Sequence, residues 1–357
     1  MTNSRISAIH YCVPRLRLTN EELEERFGQR QVRSIVKMAG IKERRIAAPG
    51  QTAADLAYWA TRRLVEDRKI DLAEIDLVIF ASQTPDYQIP ATACVLHGRL
   101  GLSDRCAAFD VNLGCTAYPY SLSIAHGLIS TGVAKKALVI NAETLTKVIH
   151  PEDRSLIPLH GDAAVVSLVE ACPETSGFRA FLLGTDGTGY EHLIIPASGM
   201  RKPRTAESSL PVADESGIVR SQEHLYMNGP AIFHFSIHKI PEVINQALAQ
   251  FNVGMEDLDL VVLHQANKTM VNQIYRTVGV PEEKQFYFME TVGNVSGPSL
   301  PLTLAEAWRQ GRVRPRSKTL LVAFGVGLSW GVALHEWPEE LPPAVVGPVE
   351  PEEEILP

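Results

Sequence analysis

The sequence has no long apolar run and no block of basic residues. In 357 residues no hydrophobic stretch approaches the roughly 20 that a membrane-spanning helix needs. The N-terminus has no basic segment followed by an apolar one, as a secretory signal would. The formal net charge of -7 has the wrong sign for binding nucleic-acid phosphates. We therefore expect a cytoplasmic protein that binds neither a membrane nor a nucleic acid.

Cysteines are few and widely scattered. None of the five lies in a C-x-x-C pair or at a Cys/His spacing typical of zinc sites, and their number is odd. They are Cys12, Cys94, Cys106, Cys115 and Cys172. The pattern predicts no disulfide framework and no metal site, and it fits a reducing compartment.

Apolar residues, by contrast, are abundant, and they form alternating strand and helix patterns. At 45% hydrophobic content the chain can bury a large core. Short apolar runs at 75–80 and 137–140 predict buried strands. Thr19 and Thr52 are each followed three residues later by an acidic residue, which predicts capped helix starts. Strands alternating with helices predict an α/β fold with parallel sheets.

An internal duplication is visible in the strand segments. AEIDLVIF at 73–80 resembles EDLDLVVL at 256–263, an offset of 256 − 73 = 183, and the run 137–140 matches 320–323 at the same offset. We therefore predict two similar halves, 1–173 and 174–337; two unrelated α/β domains are the alternative. The remaining 338–357 is rich in Pro and Glu, which predicts a poorly ordered tail.

Cys115 lies where a predicted strand passes into a predicted helix. The apolar run 106–111 is followed by a turn at 112–114, and helical spacing begins at Thr116. Free backbone N–H groups and the positive end of a helix dipole favour a thiolate. We therefore expect a lowered thiol pKa and a nucleophilic Cys115. A small buried cysteine is the alternative.

The second half contributes two polar groups at similar places. His264 ends the run 259–263, so its ring is expected at the carboxyl edge of a parallel sheet, where α/β proteins bind ligands. Asn294 lies between glycines in the loop 292–297. The glycine-rich turn 323–331 can present N–H groups to an oxyanion, but it is neither a phosphate loop nor a dinucleotide fingerprint. Singly, a core histidine and a turn asparagine would also fit.

Jointly these segments resemble the β-ketoacyl-ACP synthase III family. The motifs are DVNLGC ending at Cys115, LHQAN with His264, GNVS with Asn294, GVGLSWG at 325–331, GIKERR at 40–45, HPEDR at 150–154 and GDAA at 161–164. The resemblance covers about residues 6–337. It implies a thiolase-like fold, with duplicated βαβαβαββ halves in a five-layer αβαβα arrangement, usually as a homodimer.

The same resemblance implies an acyltransferase-class enzyme that catalyses a decarboxylative Claisen condensation. Cys115 would accept an acyl group from acyl-CoA or acyl-ACP, and malonyl-ACP or malonyl-CoA would extend it to a β-ketoacyl thioester. Backbone N–H groups of Cys115 and Val326 would form the oxyanion hole, and His264 and Asn294 would bind the enolate oxygen. No bound cofactor is implied, because phosphopantetheine enters as the arm that carries the substrate.

Further roles implied by the resemblance concern the substrate and its carrier. Asn267 would bond the phosphopantetheine arm, Phe324 would pack beside the active site, and Ile89 would close the acyl pocket of a dimer partner. Lys268 and Arg276, on the helix after His264, would dock the acyl carrier protein. A solvated helix face explains these two charges equally well.

The sequence departs from the housekeeping members of that family, which start from acetyl-CoA. Ser34 and Met38 stand where those members carry a Trp and an Arg that clamp the CoA nucleotide, and only Arg154 of the clamp is kept. His160 stands where Phe is common near the acyl pocket. It either selects a functionalised acyl chain or is hydrogen-bonded by its neighbours. We therefore expect a specialised enzyme with weak CoA binding or an acyl-ACP donor.

Three alternatives stay open at this point. The first is an acyltransferase on the same fold, moving the acyl group from Cys115 to a hydroxyl or an amine without decarboxylation. The second is a non-catalytic partner subunit, which the intact Cys115, His264 and Asn294 disfavour. The third is an unrelated cysteine hydrolase, which would not explain the paired halves.

Overall fold

The helices and strands follow the predicted alternation. The computed structural model describes residues 2–173, 175–343 and 347–351. The strands are β1 (Asn3–Cys12), β2 (Leu16–Thr19), β3 (Glu43–Ile46), β4 (Leu77–Ala81), β5 (Ala107–Val111), β6 (Lys136–Glu143), β7 (Ala163–Cys172), β8 (Gly177–Thr185), β9 (Leu193–Ile194), β10 (Val212–Ala213), β11 (Val219–Arg220), β12 (Tyr226–Met227), β13 (Leu260–Leu263), β14 (Lys318–Gly325) and β15 (Ser329–Glu336). The α-helices are α1 (Asn20–Phe27), α2 (Gln29–Ala39), α3 (Ala53–Arg68), α4 (Thr92–Leu100), α5 (Ala117–Ser130), α6 (Gly229–Phe251), α7 (Lys268–Val278) and α8 (Ser299–Arg309).

Both predicted capping boxes are present. The Thr19 and Thr52 side chains each accept a hydrogen bond from the backbone N–H three residues on, and the Glu22 and Asp55 carboxylates accept one from the cap N–H. These reciprocal bonds satisfy N–H groups that the first helical turn leaves free. The sequence therefore located the starts of α1 and α3.

Two main sheets repeat one strand order. The first runs β1-β7-β6-β4-β5 and the second β8-β15-β14-β13. In the first sheet β4 is parallel to β6, and the pairs β6–β7 and β7–β1 are antiparallel. In the second sheet β13 is likewise parallel to β14, and the pairs β14–β15 and β15–β8 are antiparallel. The duplication is therefore confirmed in the fold, and the boundary proposed at residue 173 falls between β7 and β8.

The second half is not a complete copy. Where β5 extends the edge of the first sheet, the second sheet has only a single parallel bridge between Val261 and Gln285. The two halves are therefore similar, as predicted, and not identical. In the segment 280–290 the chain forms a 3₁₀ turn at Glu282–Lys284, and the Gln285 side chain donates to the Val280 carbonyl.

Helices α5 and α8 lie between the two sheets. Leu122 of α5 and Leu304 of α8 share one buried core with Ile79 of β4 and Val262 of β13. Successive strand residues point to opposite faces, so Val78 packs outward instead, against α3 and α4. In the second sheet the outward-facing strand residues pack against α6 and α7. The result is the expected five-layer αβαβα arrangement.

Part of the C-terminal tail contradicts the expectation of poor order. The Val349 N–H donates to the Tyr11 carbonyl at 3.0 Å, and the Val13 N–H donates to the Val349 carbonyl at 3.0 Å. Glu350 forms an ion pair with Arg45 at 2.7 Å. Backbone pairing with the end of β1 and one charge pair therefore hold 347–351. Residues 344–346 and 352–357 of the predicted tail lie outside the described residues.

Candidate active site

The ends of several strands and two helices converge on one cavity. Cys115 follows β5 and immediately precedes the first turn of α5, His264 follows β13, and Asn294 precedes α8. The cavity has a volume of about 750 Å³. Among its lining residues are seven that the sequence singled out for a role: Cys115, His160, His264, Asn267, Asn294, Phe324 and Val326. Groups from both halves therefore meet at one place.

Two glycines allow the chain to close around Cys115. A Cβ on Gly114 would lie 2.3 Å from the Gln83 Oε1 atom and 2.9 Å from a Val326 methyl. A Cβ on Gly325, at the end of β14, would lie 2.8 Å from the Cys115 Sγ atom. Such distances are far inside van der Waals contact, so only glycine permits this approach. The sulfur is thereby held between the start of α5 and the end of β14.

The Cys115 thiol is partly exposed to the cavity, yet burial is the strongest influence on it. Burial raises the pKa of the Cys115 thiol above its usual value. Hydrogen bonds from the Ser296 hydroxyl, whose Oγ lies 3.6 Å from Sγ, and from the Val326 and Cys115 N–H groups oppose that shift. The expected lowering of this pKa at a helix start is therefore wrong, because desolvation outweighs these donors.

His264 is a buried, neutral imidazole. The backbone N–H of His264 donates to the Val322 carbonyl at 2.8 Å. This bond continues the parallel pairing of β13 with β14 and fixes the backbone where β13 ends. The ring stands edge-on to Phe324, with 5.6 Å between ring centroids. Burial lowers the pKa of His264 to about 3. The ring can therefore offer a hydrogen bond at neutral pH without carrying a charge.

Asn294 has its carboxamide oriented by its neighbours. Its Oδ1 accepts from the Ser296 N–H at 2.9 Å and from the Ser299 hydroxyl at 3.4 Å. Its Nδ2 donates to the Ala266 carbonyl at 3.4 Å, two residues beyond His264. Because Oδ1 is already occupied, the amide nitrogen is the atom left to serve a ligand.

Glu143 is a buried acid that the sequence analysis left without a role. It ends β6 and accepts from the Ser82 hydroxyl at 3.3 Å, the Gln83 N–H at 3.0 Å and the Thr84 hydroxyl at 2.8 Å. Burial raises the pKa of Glu143 to about 8, and the nearby Cys115 adds to the shift. In the sequence, the feature that could have marked Glu143 as a candidate site residue was its position at the carboxyl end of a predicted buried strand.

Gln83 is a second polar group that the sequence analysis missed. It lines the cavity and lies against Gly114, the residue before Cys115. The backbone N–H of Gln83 donates a hydrogen bond to the Glu143 carboxyl group at 3.0 Å. No local pattern marked Gln83, because its place depends on a residue 60 positions away.

Not all predicted substrate-binding residues reach the cavity. Asn267 does, and its Oδ1 also caps α7 by accepting the Met270 N–H at 2.8 Å. Arg154 does not line the cavity; its guanidinium donates to the Ser216 carbonyl. Ile89 is 88% exposed and lies outside the lining.

The two predicted docking cations lie on the surface of α7. Lys268 and Arg276 are both exposed, and neither lines the cavity. Lys268 sits beside Gly40, whose added Cβ would lie 2.8 Å from the Lys268 side chain. The Thr269 hydroxyl donates to the Met38 carbonyl at 2.8 Å, and Met38 lines the cavity. The start of α7 is thus at the rim.

Within 2–173, 175–343 and 347–351, no group of three or more His, Cys, Asp or Glu side chains is placed to hold a metal ion. No helix in those ranges is long and apolar enough to cross a bilayer.

Family models match both halves of the chain. The model described as 3-oxoacyl-[acyl-carrier-protein] synthase III matches residues 109–187, and its C-terminal counterpart matches 248–337. A curated relative, the β-ketoacyl-[acyl-carrier-protein] synthase III of Rhodopirellula baltica, is 36% identical over 93% of this chain and 98% of its own length.

Solved structures give the same similarity. A 3-oxoacyl-(acyl-carrier-protein) synthase III structure matches with a TM-score of 0.91 and 39% identity, over 94% of this chain and 100% of that one. The priming β-ketosynthase of the R1128 polyketide biosynthetic pathway matches with a TM-score of 0.83 and 29% identity, over 96% and 97%. Both similarities span the two halves and the cavity between them.

Proposed function

The chain belongs to the β-ketoacyl-ACP synthase III family, and from that premise we propose how its cavity condenses an acyl thioester with malonyl-ACP. The carrying observation is that Cys115, His264 and Asn294 line one cavity. The product is a β-ketoacyl thioester, and carbon dioxide is released. Each residue role below belongs to this proposal.

Acylation of Cys115 is the first stage. The thiolate attacks the carbonyl carbon of the incoming acyl thioester, and the tetrahedral oxyanion faces the N–H groups of Cys115 and Val326. Collapse breaks the bond to the carrier sulfur, which leaves as a thiol after taking up the proton lost by Cys115. The raised thiol pKa means that only a small fraction of Cys115 is in the thiolate form at neutral pH, so the proton is lost before attack.

Decarboxylation and condensation form the second stage. Malonyl-ACP loses carbon dioxide, and the electron pair left behind is delocalised as an enolate on the thioester oxygen. His264 and the free Asn294 amide hydrogen bind that oxygen as neutral donors. The carbanion then attacks the acyl carbonyl, and the Cys115 thiolate departs. A neutral His264 fits this role, since its low pKa keeps it uncharged.

Simple acyl transfer is not favoured over condensation. Transfer to a hydroxyl or an amine needs a base aimed at the acceptor, whereas the Asn294 carboxamide is not a base and His264, whose pKa burial lowers to about 3, is a weak one. Those groups match a developing enolate. The acyltransferase alternative would show acylated Cys115 and no release of carbon dioxide.

The acyl donor is proposed to be an acyl-ACP, or a CoA thioester bound weakly. At the rim, Met38 lines the cavity and Ser34 is exposed, so neither offers an aromatic face or a cation for an adenine nucleotide. Arg154, the remaining clamp residue, is engaged with the Ser216 carbonyl. This supports a specialised member of the family. Faster turnover of acetyl-CoA than of any acyl-ACP would contradict it.

Two partners complete the proposal. An acyl carrier protein, which is acidic, would dock at Lys268 and Arg276 beside the rim. A second copy of the chain would cover Ile89 and Tyr87, apolar side chains that are 88% and 59% exposed on adjoining parts of one segment. Sedimentation that shows only monomers at micromolar concentration would refute the homodimer.

One experiment tests the condensation itself. The protein is incubated with a panel of acyl-CoAs and acyl-ACPs, and the mass added to the Cys115 peptide is measured; carboxyl-labelled malonyl-ACP is then added and released carbon dioxide is counted. Cys115→Ser should abolish the added mass, whereas Cys94→Ser, at an exposed thiol on α4, should leave it intact. Acylation without carbon dioxide release would reject the condensation.

A further inference from the structure

We propose that Ser296 is a further catalytic residue, whose hydroxyl donates a hydrogen bond to the Cys115 sulfur each time that sulfur carries a negative charge. The inference rests on the proposed function, because it names the group that serves the reacting sulfur in both stages. Ser296 keeps its own proton throughout, and the proton lost by Cys115 still ends on the carrier thiol.

The Ser296 side chain lies against the reacting atom. Its Oγ is 3.6 Å from the Cys115 Sγ, and both residues line the cavity. Ser296 is buried, and among the described residues that sulfur is the one hydrogen-bond partner of its hydroxyl. A thiolate has no proton and can only accept. In the reactive form of Cys115, Ser296 is therefore the donor of this bond.

The backbone around Ser296 fixes the direction of its side chain. Ser296 has φ of 56°, in the left-handed region that few residues other than glycine adopt. Its N–H donates to the Asn294 Oδ1 at 2.9 Å, and its carbonyl accepts the Ser299 N–H at 3.0 Å. A Cβ on Gly297 would lie 3.1 Å from the Gly114 carbonyl oxygen, so this loop packs directly against the turn that precedes the nucleophile. The hydroxyl is thus oriented before any substrate binds.

A thiolate in this cavity depends on neutral donors. Among the described residues that line the cavity there is no Lys or Arg, and burial keeps His264 neutral by lowering its pKa to about 3. The nearby Glu143 adds negative charge once it ionises. Burial raises the pKa of the Cys115 thiol, and the hydrogen bond from Ser296 is the largest influence in the opposite direction. Loss of this hydroxyl should therefore reduce the thiolate fraction.

The reaction leaves Ser296 as the donor that stays with the sulfur. The Val326 and Cys115 N–H groups bond the sulfur in the structure, but in the proposed mechanism they turn to the oxyanion during attack. The Ser296 hydroxyl has no such second task. When the thioester forms, the sulfur loses its charge and becomes a weak acceptor. When the carbon–sulfur bond breaks in the condensation, the electron pair returns to the sulfur and the same hydroxyl stabilises it.

The test measures alkylation of Cys115 by iodoacetamide, which consumes the thiolate and needs no acyl thioester. The rate is read from the mass of the Cys115 peptide, from about pH 6 to the pH at which the parent rate levels off. Ser296→Gly and Ser296→Ala should each react roughly tenfold slower than the parent below the thiol pKa, the effect of one hydrogen bond to a charged group. The gap should narrow as the parent rate levels off. An undiminished gap there would indicate altered access to the sulfur and overturn the inference.

The two variants separate the hydroxyl from the backbone. Glycine adopts a positive φ without strain and alanine does not, whereas both lack the hydroxyl and both keep the N–H that bonds Asn294. The loss in Ser296→Gly therefore measures the hydroxyl alone, and a parent-like rate for this variant would refute the inference. The control is Ser121→Ala in α5, which removes a buried hydroxyl without a hydrogen-bond partner in the described part of the chain. It should be alkylated at the parent rate.

The outcomes distinguish this inference from the proposed function. With a thioester that acylates the parent, acylation of Ser296→Gly should be slowed by the same factor as alkylation. If the parent is acylated and condenses while Ser296→Gly keeps both rates, only the role of Ser296 is lost. If no thioester acylates the parent, the proposed function fails and the catalytic role of Ser296 falls with it. Should Ser296→Ala not fold, as judged by circular dichroism, the glycine variant and its pH profile still decide the matter.

Discussion

Asn294 is oriented by two residues that follow it in the chain. The Ser296 N–H and the Ser299 hydroxyl occupy its Oδ1, and its Nδ2 has one hydrogen left after the bond to the Ala266 carbonyl. An aspartate could accept the same two bonds, yet in the proposed condensation it would present negative charge to an oxygen that becomes an enolate. A carboxamide at this position therefore suits the proposed decarboxylation better than a carboxylate would.

Asn294→Asp should lower decarboxylation of malonyl-ACP far more than acylation of Cys115. Loss of one such donor costs roughly a hundredfold to a thousandfold in rate. Acylation is followed by intact mass and decarboxylation by carbon dioxide release from preformed acyl-enzyme. Equal losses in both stages would show that the residue only supports the fold of the loop.

The acylation rate should rise with pH through and beyond neutrality. Burial raises the pKa of the Cys115 thiol, so below that pKa the thiolate fraction grows on the order of tenfold per pH unit. His264, with a pKa lowered to about 3, stays neutral and adds no pH dependence in that window. Acylation is measured from about pH 6 to 9, and a plateau reached below neutral pH would contradict the raised thiol pKa.

Ionisation of Glu143 should make the acylation rate of Cys115 rise less steeply with pH above about pH 8. Its pKa is raised to about 8, so its carboxyl ionises within the measured window and adds a negative charge near the thiol. Glu143→Gln removes the ionisable group and should restore a continued rise above pH 8, relative to the parent protein.

Local sequence singled out residues that share one cavity, but it did not predict their electrostatics. Cys115, His264 and Asn294 stand at strand or helix ends, which hydrophobic spacing marks well. The direction of the Cys115 pKa shift was wrong, because desolvation depends on residues far away in the chain. Glu143 and Gln83 were missed for the same reason, since their contact joins segments 60 residues apart.

At the scale of elements, the end of β14 meets the start of α5 without intervening side-chain volume. Gly325 has φ of 156°, and an added Cβ would lie 2.6 Å from the Cys115 Cβ and 2.8 Å from its sulfur. The strand can therefore deliver the Val326 N–H to the thiol. Any larger residue at 325 must push the two elements apart.

Gly325→Ala should reduce the rate of Cys115 acylation on the order of a hundredfold, the effect of about 1 Å of misplacement at a reacting atom. The matched control is Gly127→Ala in α5, where an added Cβ meets nothing within 4 Å. Acylation is measured by mass, and circular dichroism checks that both variants fold. Normal acylation by Gly325→Ala would refute the close-approach argument.

Elements with local signals were predicted well, and those that depend on partners were not. The Thr19 and Thr52 capping boxes marked α1 and α3 because cap, acid and helix lie within four residues. The second-sheet edge is reduced to one bridge at Gln285, whereas the offset of 183 places the counterpart of β5 at 290–294 (107 + 183 = 290). The tail at 347–351 is held by Tyr11, Val13 and Arg45, which composition alone does not reveal.

At the scale of the whole molecule, the duplication brings the carboxyl ends of both sheets to one cavity. The middle helices α5 and α8 begin close to it, so Cys115 and Asn294, the proposed nucleophile and enolate-binding amide, come from equivalent places in the two halves. The sequence offset of 183 predicted this pairing, because the same strand order is built twice. The rim, by contrast, is assembled from α2 and α7, which no repeat relates.

Reversal of the charge of Lys268, at the rim of the cavity, should weaken the binding of malonyl-ACP but not that of malonyl-CoA. Lys268→Glu is expected to raise the KM for malonyl-ACP severalfold, more at low salt than at high salt, and to leave the KM for malonyl-CoA nearly unchanged. Arg105→Glu is the control, since Arg105 is exposed and lies before the amino end of β5, whereas the cavity lies beyond the carboxyl end of that strand. An equal effect on both extenders would argue against docking at Lys268.

The central claim is that an acyl group on Cys115 is joined to malonyl-ACP with loss of carbon dioxide. Isolated acyl-enzyme is mixed with malonyl-ACP labelled in its free carboxyl. The mass of the enzyme, the mass of the carrier and the amount of labelled carbon dioxide released are followed together. We predict that acyl-Cys115 disappears, one carbon dioxide is released for each acyl group lost, and the carrier gains a β-ketoacyl chain two carbons longer than the acyl group. Persistence of acyl-Cys115, or its loss without carbon dioxide, would contradict the account.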